Sequence, residues 1–357
     1  LSDFKQFKHG WEDKDARKER KDRAFADMEK LDLKYIPRNY YSCNGQEVYV
    51  YKSFIEQGLL APNANLGHAL LSDKNASTID YDVEIIECID KPFLKKRFSK
   101  DAAKGDLYKC TWGNSGDGAN LARNNAITKT LDNNGFCVGE HIPYGLIGVE
   151  DTLNSYHPAY DLKTNDDDGN EGSFDTMTEL IKGLWNVTSS TKKMGKQTLE
   201  SLVDVDYFLA FSALSQMFCN PDDQRYNANN YYLYFCPTSG RAYYIAYDWD
   251  WCLGITWADG LANNVNTGFW DENYLNSYQA PIYQATFFKS GRMLYPKTAY
   301  QNAYRNYGAA FLAKGVLDYN NYKAMNDKIT YSTKSEATTV KNYMERKTTV
   351  IRDTLNG

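Results

Sequence analysis

The sequence predicts an α+β fold in which a mixed α/β part precedes a predominantly helical part. Strand-like alternation with β-branched residues occupies residues 78–89, whereas residues 199–218 and 295–357 carry apolar side chains at helical spacing. The chain has 357 residues, of which 42% are hydrophobic, and this is enough to bury a core in one large domain or in two lobes.

The first predicted element is a helix within residues 1–35. This segment alternates basic and acidic side chains, and Phe25, Met28 and Leu31 recur at helical spacing. The pattern predicts a solvated surface helix with one apolar stripe that docks onto the rest of the protein.

Short elements follow the strand at residues 78–89. A helix is predicted from Asp90 to Phe98, because Pro92 stands early in its first turn. Residues 105–112 read as a second short strand, and residues 174–185 have an amphipathic helical pattern.

A core helix over residues 199–218 leads into a predicted hairpin. The segments Tyr231–Phe235 and Ala242–Tyr247 alternate like two strands, and Pro237-Thr-Ser-Gly240 between them has the composition of a turn.

Asp and Asn side chains crowd both ends of this hairpin. Asn220-Pro-Asp222-Asp223 comes before it, and Asp248-Trp-Asp250 comes after it. Metal-dependent phosphoryl transfer needs hard oxygen ligands for Mg²⁺ and one carboxylate that orients a hydroxyl group. The cluster therefore favours this chemistry.

Composition narrows the remaining function classes. The formal net charge is −5 and no basic stripe runs along the chain, so we expect no nucleic-acid partner. No apolar run approaches the ~20 residues of a membrane helix. The abundance of tyrosine and the glycosylation sequons at Asn75 and Asn186 favour a secreted or cell-surface glycoprotein. No signal peptide is visible, and whether a leader has been removed before Leu1 is left open.

The cysteines and histidines do not have the spacing of a zinc site. None of the seven cysteines forms a CxxC pair, and the chain has four histidines. An odd number of cysteines leaves at least one thiol free or paired between chains. Cys219 and Cys236 flank the Asp/Asn cluster, and a disulfide across it is one of the pairings that the spacing leaves open.

Three local motifs have a second interpretation. Residues 113–118 are glycine-rich, but the Lys-Ser/Thr of a phosphate-binding loop does not follow, which favours an ordinary loop. Residues 164–175 have part of the spacing of an EF-hand calcium loop, although a solvated acidic loop is expected. A carbohydrate hydrolase needs carboxylates across a cleft, whereas Asp248 and Asp250 would lie side by side on a strand.

The order of helix, Asp/Asn loop, hairpin and Asp-x-Asp is that of a protein-kinase catalytic loop followed by its metal-binding aspartate. Asn230-Tyr-Tyr-Leu-Tyr234 and Tyr247-Asp248-Trp-Asp250-Trp-Cys-Leu-Gly254 resemble the central motif of the spore-coat-protein-H-like (CotH) atypical kinases. Weaker motifs of that family are similar to Val83–Phe98, to Gly105-Asp-Leu-Tyr-Lys109, to Tyr160-Asp-Leu-Lys163 and to the region around Arg346. The resemblance covers about residues 78–355.

The resemblance implies a set of Mg²⁺ ligands and a catalytic carboxylate. Asp248 would be the principal Mg²⁺ ligand and Asn230 the second, while Asp250 would either bind the metal or cap the following turn. The catalytic carboxylate would be Asp223 or Asp222. The interval from these aspartates to Asn230 is longer than in the family, and Asn227 or Asn229 could compensate.

The resemblance also implies a nucleotide site. Lys109 and Glu87 would lie near the ATP, and Lys163 would be a further candidate on the phosphate side. The family's N-terminal Arg-Gly-Asn-Ser element and the Lys-rich strand after it have no convincing copy in residues 1–77. We therefore expect an atypical protein-kinase-like two-lobe fold with a predominantly helical C-lobe and a reduced or rebuilt N-lobe.

The implied domains are a charged N-terminal helical segment at 1–40, an N-lobe-like mixed α/β region at 41–150 and a kinase-like C-lobe at 151–357. Two functions fit them. One is a secreted kinase that uses ATP and Mg²⁺ to phosphorylate Ser or Thr of an extracellular or surface protein. The other is a catalytically inactive, pseudokinase-like structural, adhesive or assembly protein, for which the aromatic-rich residues 270–300 could bind partner chains.

Overall fold

The computed structural model describes the parts of the chain that hold the predicted elements. These are residues 2–3, 30–35, 45–71, 79–111, 119–121, 160–165, 175–188, 199–225, 227–255, 264–266, 281–283, 297–327 and 334–356. Both helices and antiparallel sheets occur in them, so the α+β class is confirmed.

Four antiparallel strands form a first sheet, which we call the N-sheet. Its spatial order is β1-β2-β4-β3. The strands are β1 (Ser2–Asp3), β2 (Lys30–Tyr35), β3 (Ala64–Leu71) and β4 (Ile79–Glu87). Lys34 on β2 lies directly opposite Glu84 on β4, so both side chains point to the same face of the sheet. Ile86 shares this face and belongs to the same apolar core as Val50 of helix α1 (Gln46–Glu56).

The predicted N-terminal helix is wrong over the part that the structure describes. Lys30–Tyr35 is a strand, and Leu31 pairs with Glu87 of β4 instead of facing a helical stripe. Ladder pairing with a long neighbouring strand outweighs the local helical spacing here. Phe25 and Met28 lie outside the described residues. The predicted boundary at residue 40 therefore separates β2 from α1, which together carry part of the site described below.

Four more antiparallel strands form a second sheet, which we call the C-sheet, in the order β6-β5-β7-β8. They are β5 (Leu107–Cys110), β6 (Tyr160–Leu162), β7 (Tyr231–Cys236) and β8 (Arg241–Ala246). The predicted hairpin is confirmed, with Tyr231 opposite Ala246. Gly240 closes its turn with a φ of 67° and a 2.9 Å hydrogen bond from its N–H to the carbonyl of Cys236.

The remaining helices cover the C-sheet and fill the C-terminal half. They are α2 (Lys91–Arg97), α3 (Asp175–Thr188), α4 (Leu199–Leu202), α5 (Val205–Phe218), α6 (Lys297–Ala313), α7 (Tyr319–Asn326) and α8 (Lys334–Asn356), with 3-10 turns at Ala102–Lys104 and Asn264–Asn266. The helix predicted over 199–218 is broken because Asp204 caps α5, accepting a 3.0 Å hydrogen bond from the N–H of Tyr207.

Helix α5 runs through the centre of the largest apolar core. It is buried on nearly all sides, as expected for a helix that is apolar around its whole circumference. The ring centroid of Phe211 lies 4.8 Å from that of Phe54 on α1 and 5.7 Å from that of Tyr244 on β8. This packing fixes the C-terminal end of α5, where the Asp/Asn cluster begins.

The cysteines do not form the disulfide that the spacing left open. Cys88, Cys110, Cys219, Cys236 and Cys252 are all free thiols. Cys219 ends α5 beside the Asp/Asn cluster, whereas Cys236 stands at the far end of β7, where its Sγ lies 3.3 Å from Oγ1 of Thr238. The hairpin therefore keeps the two apart.

Several predicted features lie outside the described residues. They include the glycine-rich loop 113–118, most of the acidic loop after Thr164, the sequon at Asn75 and most of the aromatic segment 270–300. Thr164 itself is buried, and its hydroxyl binds the backbone of Leu107 and Gly105, which ties it to β5. Asn186 lies near the end of α3. Across the described ranges, no helix has the length and apolar character needed to cross a membrane.

Gly105, which precedes β5, stands where a larger residue would collide with the C-sheet. A Cβ atom at this position would lie 1.8 Å from the backbone oxygen of Phe235. We expect Gly105→Ala to lower the free energy of unfolding by about 3 kcal/mol, because backbone must move to admit the methyl group. Gly240→Ala is the control: nothing lies within 4 Å of its Cβ, so only the positive φ costs about 1 kcal/mol. Equal losses for both variants in urea denaturation would contradict this account.

Candidate functional site

Lys34 on β2 connects the N-sheet to the segment that follows the hairpin. Its Nζ lies 2.7 Å from Oε2 of Glu47, 2.9 Å from Oδ1 of Asp248 and 3.2 Å from Oδ2 of Asp250. Burial alone would lower the pKa of Lys34, but the attraction of these carboxylates outweighs it, and the pKa is raised. Lys34 is therefore a firmly held cation between the two sheets.

Glu47 stands in the first turn of α1 and is the buried partner of Lys34. Burial by itself raises the pKa of Glu47, but Lys34 and the hydroxyl of Tyr51 overcome this and lower it. Glu84, opposite Lys34 in the N-sheet, behaves in the other way: burial and the neighbouring Glu47 raise its pKa well above the usual range. The pKa values of Glu84 and Glu47 are therefore shifted in opposite directions, because Lys34 pairs directly with Glu47.

The segment Asp248-Trp-Asp250 presents two carboxylates to the same ammonium group. Burial raises the pKa of Asp248, and Lys34 offsets only part of the rise. Burial and the adjacent Asp248 raise the pKa of Asp250 to about 7. Trp249 between them is fully buried and packs on Phe54 of α1, with ring centroids 5.4 Å apart. The indole thereby anchors the segment while both aspartates face Lys34.

Asp222 is the centre of a group of carboxamides at the end of α5. Its Oδ2 accepts hydrogen bonds from Nδ2 of Asn229 at 3.1 Å and of Asn230 at 2.9 Å, and its Oδ1 accepts one from Nδ2 of Asn227. Its backbone N–H donates to Oδ1 of Asn220 at 2.8 Å. Asp222 is half-buried and its charge acts on Asp248, so the predicted Asn230, Asp222 and Asp248 are brought together.

Asp223 has a different environment from Asp222. It is completely buried, and its carboxylate accepts hydrogen bonds from the Nε of Arg225 at 2.6 Å and from the backbone N–H of Arg225 at 2.8 Å. Arg225 is also buried and binds Oε1 of Gln216 on α5 at 2.6 Å. The first-named candidate for the catalytic carboxylate therefore serves to fix the loop, which leaves Asp222 as the accessible one.

Lys109 lies on β5, and Lys163 directly follows β6, where its backbone N–H donates to the carbonyl of Leu107 at 2.8 Å. The Nζ of Lys109 is 3.2 Å from the hydroxyl of Tyr247 and 4.6 Å from the centre of its ring. Burial, with a contribution from Lys163, lowers the pKa of Lys109. Lys163 forms an ion pair with Asp161. Since Tyr247 immediately precedes Asp248, Lys109 lies beside the Asp248 segment, and Lys163 reaches it only through its effect on Lys109.

Glu87 is not part of this cluster. Its buried carboxylate binds Arg97 of α2 at 2.6 Å and the side chain of Asn63 at 2.9 Å. Burial by itself raises the pKa of Glu87, and Arg97 more than reverses this, so the pKa is lowered. Glu87 joins the end of β4 to α2, and it is Glu47, not Glu87, that pairs with Lys34.

The donor set suits Mg²⁺ bound together with phosphate oxygens. Among the described residues, no three Asp, Glu, His or Cys side chains are grouped as a ready-made metal cage. Mg²⁺ in phosphoryl-transfer enzymes is usually held by one or two carboxylates plus substrate phosphates, so such a cage is not required. Burial raises the pKa of Asp248 and of Asp250, and neighbouring carboxylates add to the rise, so a bound divalent cation would favour the ionised form of both.

The sequence analysis missed Lys34, Glu47 and Tyr51. Within residues 1–77, where the family's Lys-rich strand has no convincing copy, the structure pairs Lys34 of β2 with Glu47 of α1. The signals were the alternating Leu31-Asp-Leu-Lys-Tyr35 and a glutamate at the start of a helix, and neither is specific by itself.

Comparison with known protein families matches residues 84–354 to the family described as CotH kinase protein. Comparison with curated proteins gave no match. The matched residues include the whole C-sheet, the Asp222 loop and Asp248, while Lys34 and Glu47 lie before the matched span. Since the match extends over most of the chain, the protein belongs to the CotH kinase family.

Proposed function

We propose that the protein transfers the γ-phosphoryl group of ATP, in the presence of Mg²⁺, to a serine or threonine hydroxyl of an extracellular or cell-surface protein. The observation that carries this proposal is that Nζ of Lys34 lies 2.7 Å from Oε2 of Glu47 and 2.9 Å from Oδ1 of Asp248. Kinase-type phosphoryl transfer requires a Lys–Glu ion pair and a metal-binding aspartate to be in place together. Membership of the CotH kinase family supports the same class of chemistry.

Each residue of the cluster has a role in this proposal. Lys34, oriented by Glu47, would bind the α- and β-phosphates. Asp248 and Asn230 would hold Mg²⁺, with Asp250 as a further ligand. A bound Mg²⁺ would neutralise part of the negative charge of the phosphates.

Asp222 would orient the acceptor hydroxyl. A carboxylate in this role needs access to the substrate and a fixed direction, and Asp222 is half-buried and held by three carboxamides. Lys109 and Lys163 add positive charge on the phosphate side. The extracellular location of the acceptor is supported by the sequons at Asn75 and Asn186.

The alternative is a non-catalytic structural or assembly protein. Its main support in the sequence was the apparent lack of a phosphate-binding lysine with an acidic partner. The Lys34–Glu47 pair removes that argument, and phosphoryl transfer is therefore the function we put first.

The proposal predicts that Asp248→Asn abolishes phosphate transfer and leaves the fold intact. Asparagine keeps the shape of Asp248 and tolerates its left-handed backbone, but it is a far weaker Mg²⁺ ligand. Transfer of radiolabel from γ-labelled ATP to the protein itself and to a serine/threonine peptide library should fall by on the order of 10²–10³-fold.

The control is Asp101→Asn, which removes an exposed carboxylate paired with Lys104. It should transfer phosphate at the wild-type rate. Both variants should have the thermal midpoint of the wild type. If the wild type transfers no label, or if Asp248→Asn transfers as much as the wild type, the proposed function is wrong.

A further inference from the structure

Helix α1 holds each of the three residues Asp248-Trp-Asp250 by a backbone group. The N–H of Asp248 donates to the hydroxyl of Tyr51 at 2.8 Å, and the N–H of Trp249 donates to Oε1 of Glu47 at 3.1 Å. The carbonyl of Asp250 accepts from Nε2 of Gln46 at 2.8 Å. These contacts join distant parts of the chain: Tyr51 and Asp248, for example, are 197 positions apart.

The backbone of Asp248 needs such support. Its φ is 55°, in the left-handed region that residues other than glycine seldom adopt. Its N–H is held by Tyr51, and its carbonyl accepts a 3.1 Å hydrogen bond from Nδ2 of Asn220. The two peptide groups that flank the left-handed residue are therefore both fixed.

Tyr51 occupies the central place in this arrangement. Its hydroxyl accepts the N–H of Asp248 and donates to Oε1 of Glu47 at 2.6 Å. It thus joins the carboxylate that binds Lys34 to the residue proposed to bind Mg²⁺. The side chain of Tyr51 is completely buried, so it acts through these neighbours and does not touch a substrate.

We infer that Tyr51 is a positioning residue that couples the Lys34–Glu47 pair to the left-handed conformation of Asp248. The coupling of backbone groups stands on the contacts above, while its consequence for Mg²⁺ use rests on the proposed function. Loss of the hydroxyl releases the N–H of Asp248 and removes one of the two donors to Oε1 of Glu47, which keeps the N–H of Trp249. The carboxylate of Asp248 then samples directions that do not suit the metal.

The chain offers a closely matched control. The hydroxyl of Tyr207 accepts the N–H of Leu60 at 2.8 Å and donates to the carbonyl of Tyr244 at 2.6 Å, with the same lengths as the two bonds of Tyr51. Tyr51→Phe and Tyr207→Phe each remove two hydrogen bonds and keep the ring, which is fully buried at position 51 and half-buried at position 207. They differ in whether the bonds lead to Asp248.

The first measurement is hydrogen exchange of single backbone amides in the full chain, without ligands. In the wild type, the amide of Asp248 should be protected. Tyr51→Phe should speed its exchange by about tenfold, the equivalent of one lost hydrogen bond, and Tyr207→Phe should leave it unchanged. An unprotected Asp248 amide in the wild type overturns the inference even if Tyr51→Phe fails to fold. So does an equal effect of both variants.

The second measurement is the dependence of phosphate transfer on Mg²⁺ concentration. Tyr51→Phe should raise the Mg²⁺ concentration for half-maximal transfer by about tenfold, with recovery at high Mg²⁺, whereas Tyr207→Phe should keep the wild-type value. A wild-type Mg²⁺ dependence in Tyr51→Phe overturns the coupling while the proposed function stands. If the wild type transfers nothing but the amide result holds, the proposed function fails and the link between Tyr51 and Asp248 stands.

Discussion

Replacing Lys34 with methionine should reduce phosphate transfer by on the order of 10²–10³-fold and destabilise the protein at neutral pH. Methionine has nearly the length of lysine, so the change removes the charge more than the volume. Without it, Glu47, Asp248 and Asp250 lose the ammonium group that lies within 3.2 Å of each of them. Removing one partner of such a buried ion pair costs about 3 kcal/mol, because the remaining carboxylates stay desolvated and repel one another.

Lys96→Met provides the comparison for this variant. Lys96 lies 3.7 Å from the buried Glu87 on the other side of the N-sheet, but Glu87 keeps its shorter contact with Arg97. We expect Lys96→Met to lose less than about 1 kcal/mol and to keep full activity. Chemical denaturation and the label-transfer assay measure both effects. A stable, active Lys34→Met protein would contradict the role given to Lys34.

The neighbouring aspartates Asp222 and Asp223 should respond to substitution in opposite ways. Asp222→Asn should lower the rate of transfer by about 10²–10⁴-fold, because a carboxamide cannot accept a proton, while ATP binding stays close to that of the wild type. It should lower the free energy of unfolding by only about 1–2 kcal/mol, because one of the two oxygens that accept from the three asparagines is lost. Asp223→Asn should lower the free energy of unfolding by about 3–5 kcal/mol, because it leaves the buried guanidinium of Arg225 without its counter-charge.

Each aspartate variant is the control for the other, since the two positions are adjacent and the chemical change is identical. Thermal melting and single-turnover transfer separate the two effects. A folded, inactive Asp223→Asn together with a fully active Asp222→Asn would reverse the assignment and return the catalytic role to Asp223.

Local patterns were enough to predict the hairpin and the residues at its two ends. The alternation in Tyr231–Cys236 and Arg241–Ala246, with Gly240 in the turn, depends on neighbours a few positions apart. The cap at Asp90 is local in the same sense, since its side chain accepts the N–H of Phe93 at 3.2 Å. Such features can be predicted because the residues that form them are close together in the sequence.

The Lys34–Glu47 pair could not be predicted in this way. Lys34 reaches Asp248 across 214 positions of the chain, and only the packing of α1 between the two sheets brings them together. The charged pattern before Leu31 suggested a helix. No local signal in the sequence shows that β4 will pair with Lys30–Tyr35. Long-range pairing decides both points.

The choice between Asp222 and Asp223 was also beyond the sequence. Both follow Asn220-Pro, and either could face the substrate. The difference comes from Arg225, whose backbone and side chain both turn to Asp223, and from the three asparagines that turn to Asp222. Which aspartate has which partners depends on the path of the loop after α5, where the backbone of Ala228 and of Asn230 is in the left-handed conformation.

The central claim is that Lys34, Glu47 and Asp248 form a nucleotide site, and calorimetric titration of the full chain with ATP in the presence of Mg²⁺ tests it most directly. The account predicts saturable binding with a dissociation constant between about 1 μM and 1 mM, weakened when Mg²⁺ is removed and absent in Lys34→Met. A wild-type protein that binds no ATP at millimolar concentration, or a Lys34→Met protein that binds it as well as the wild type, would contradict the account.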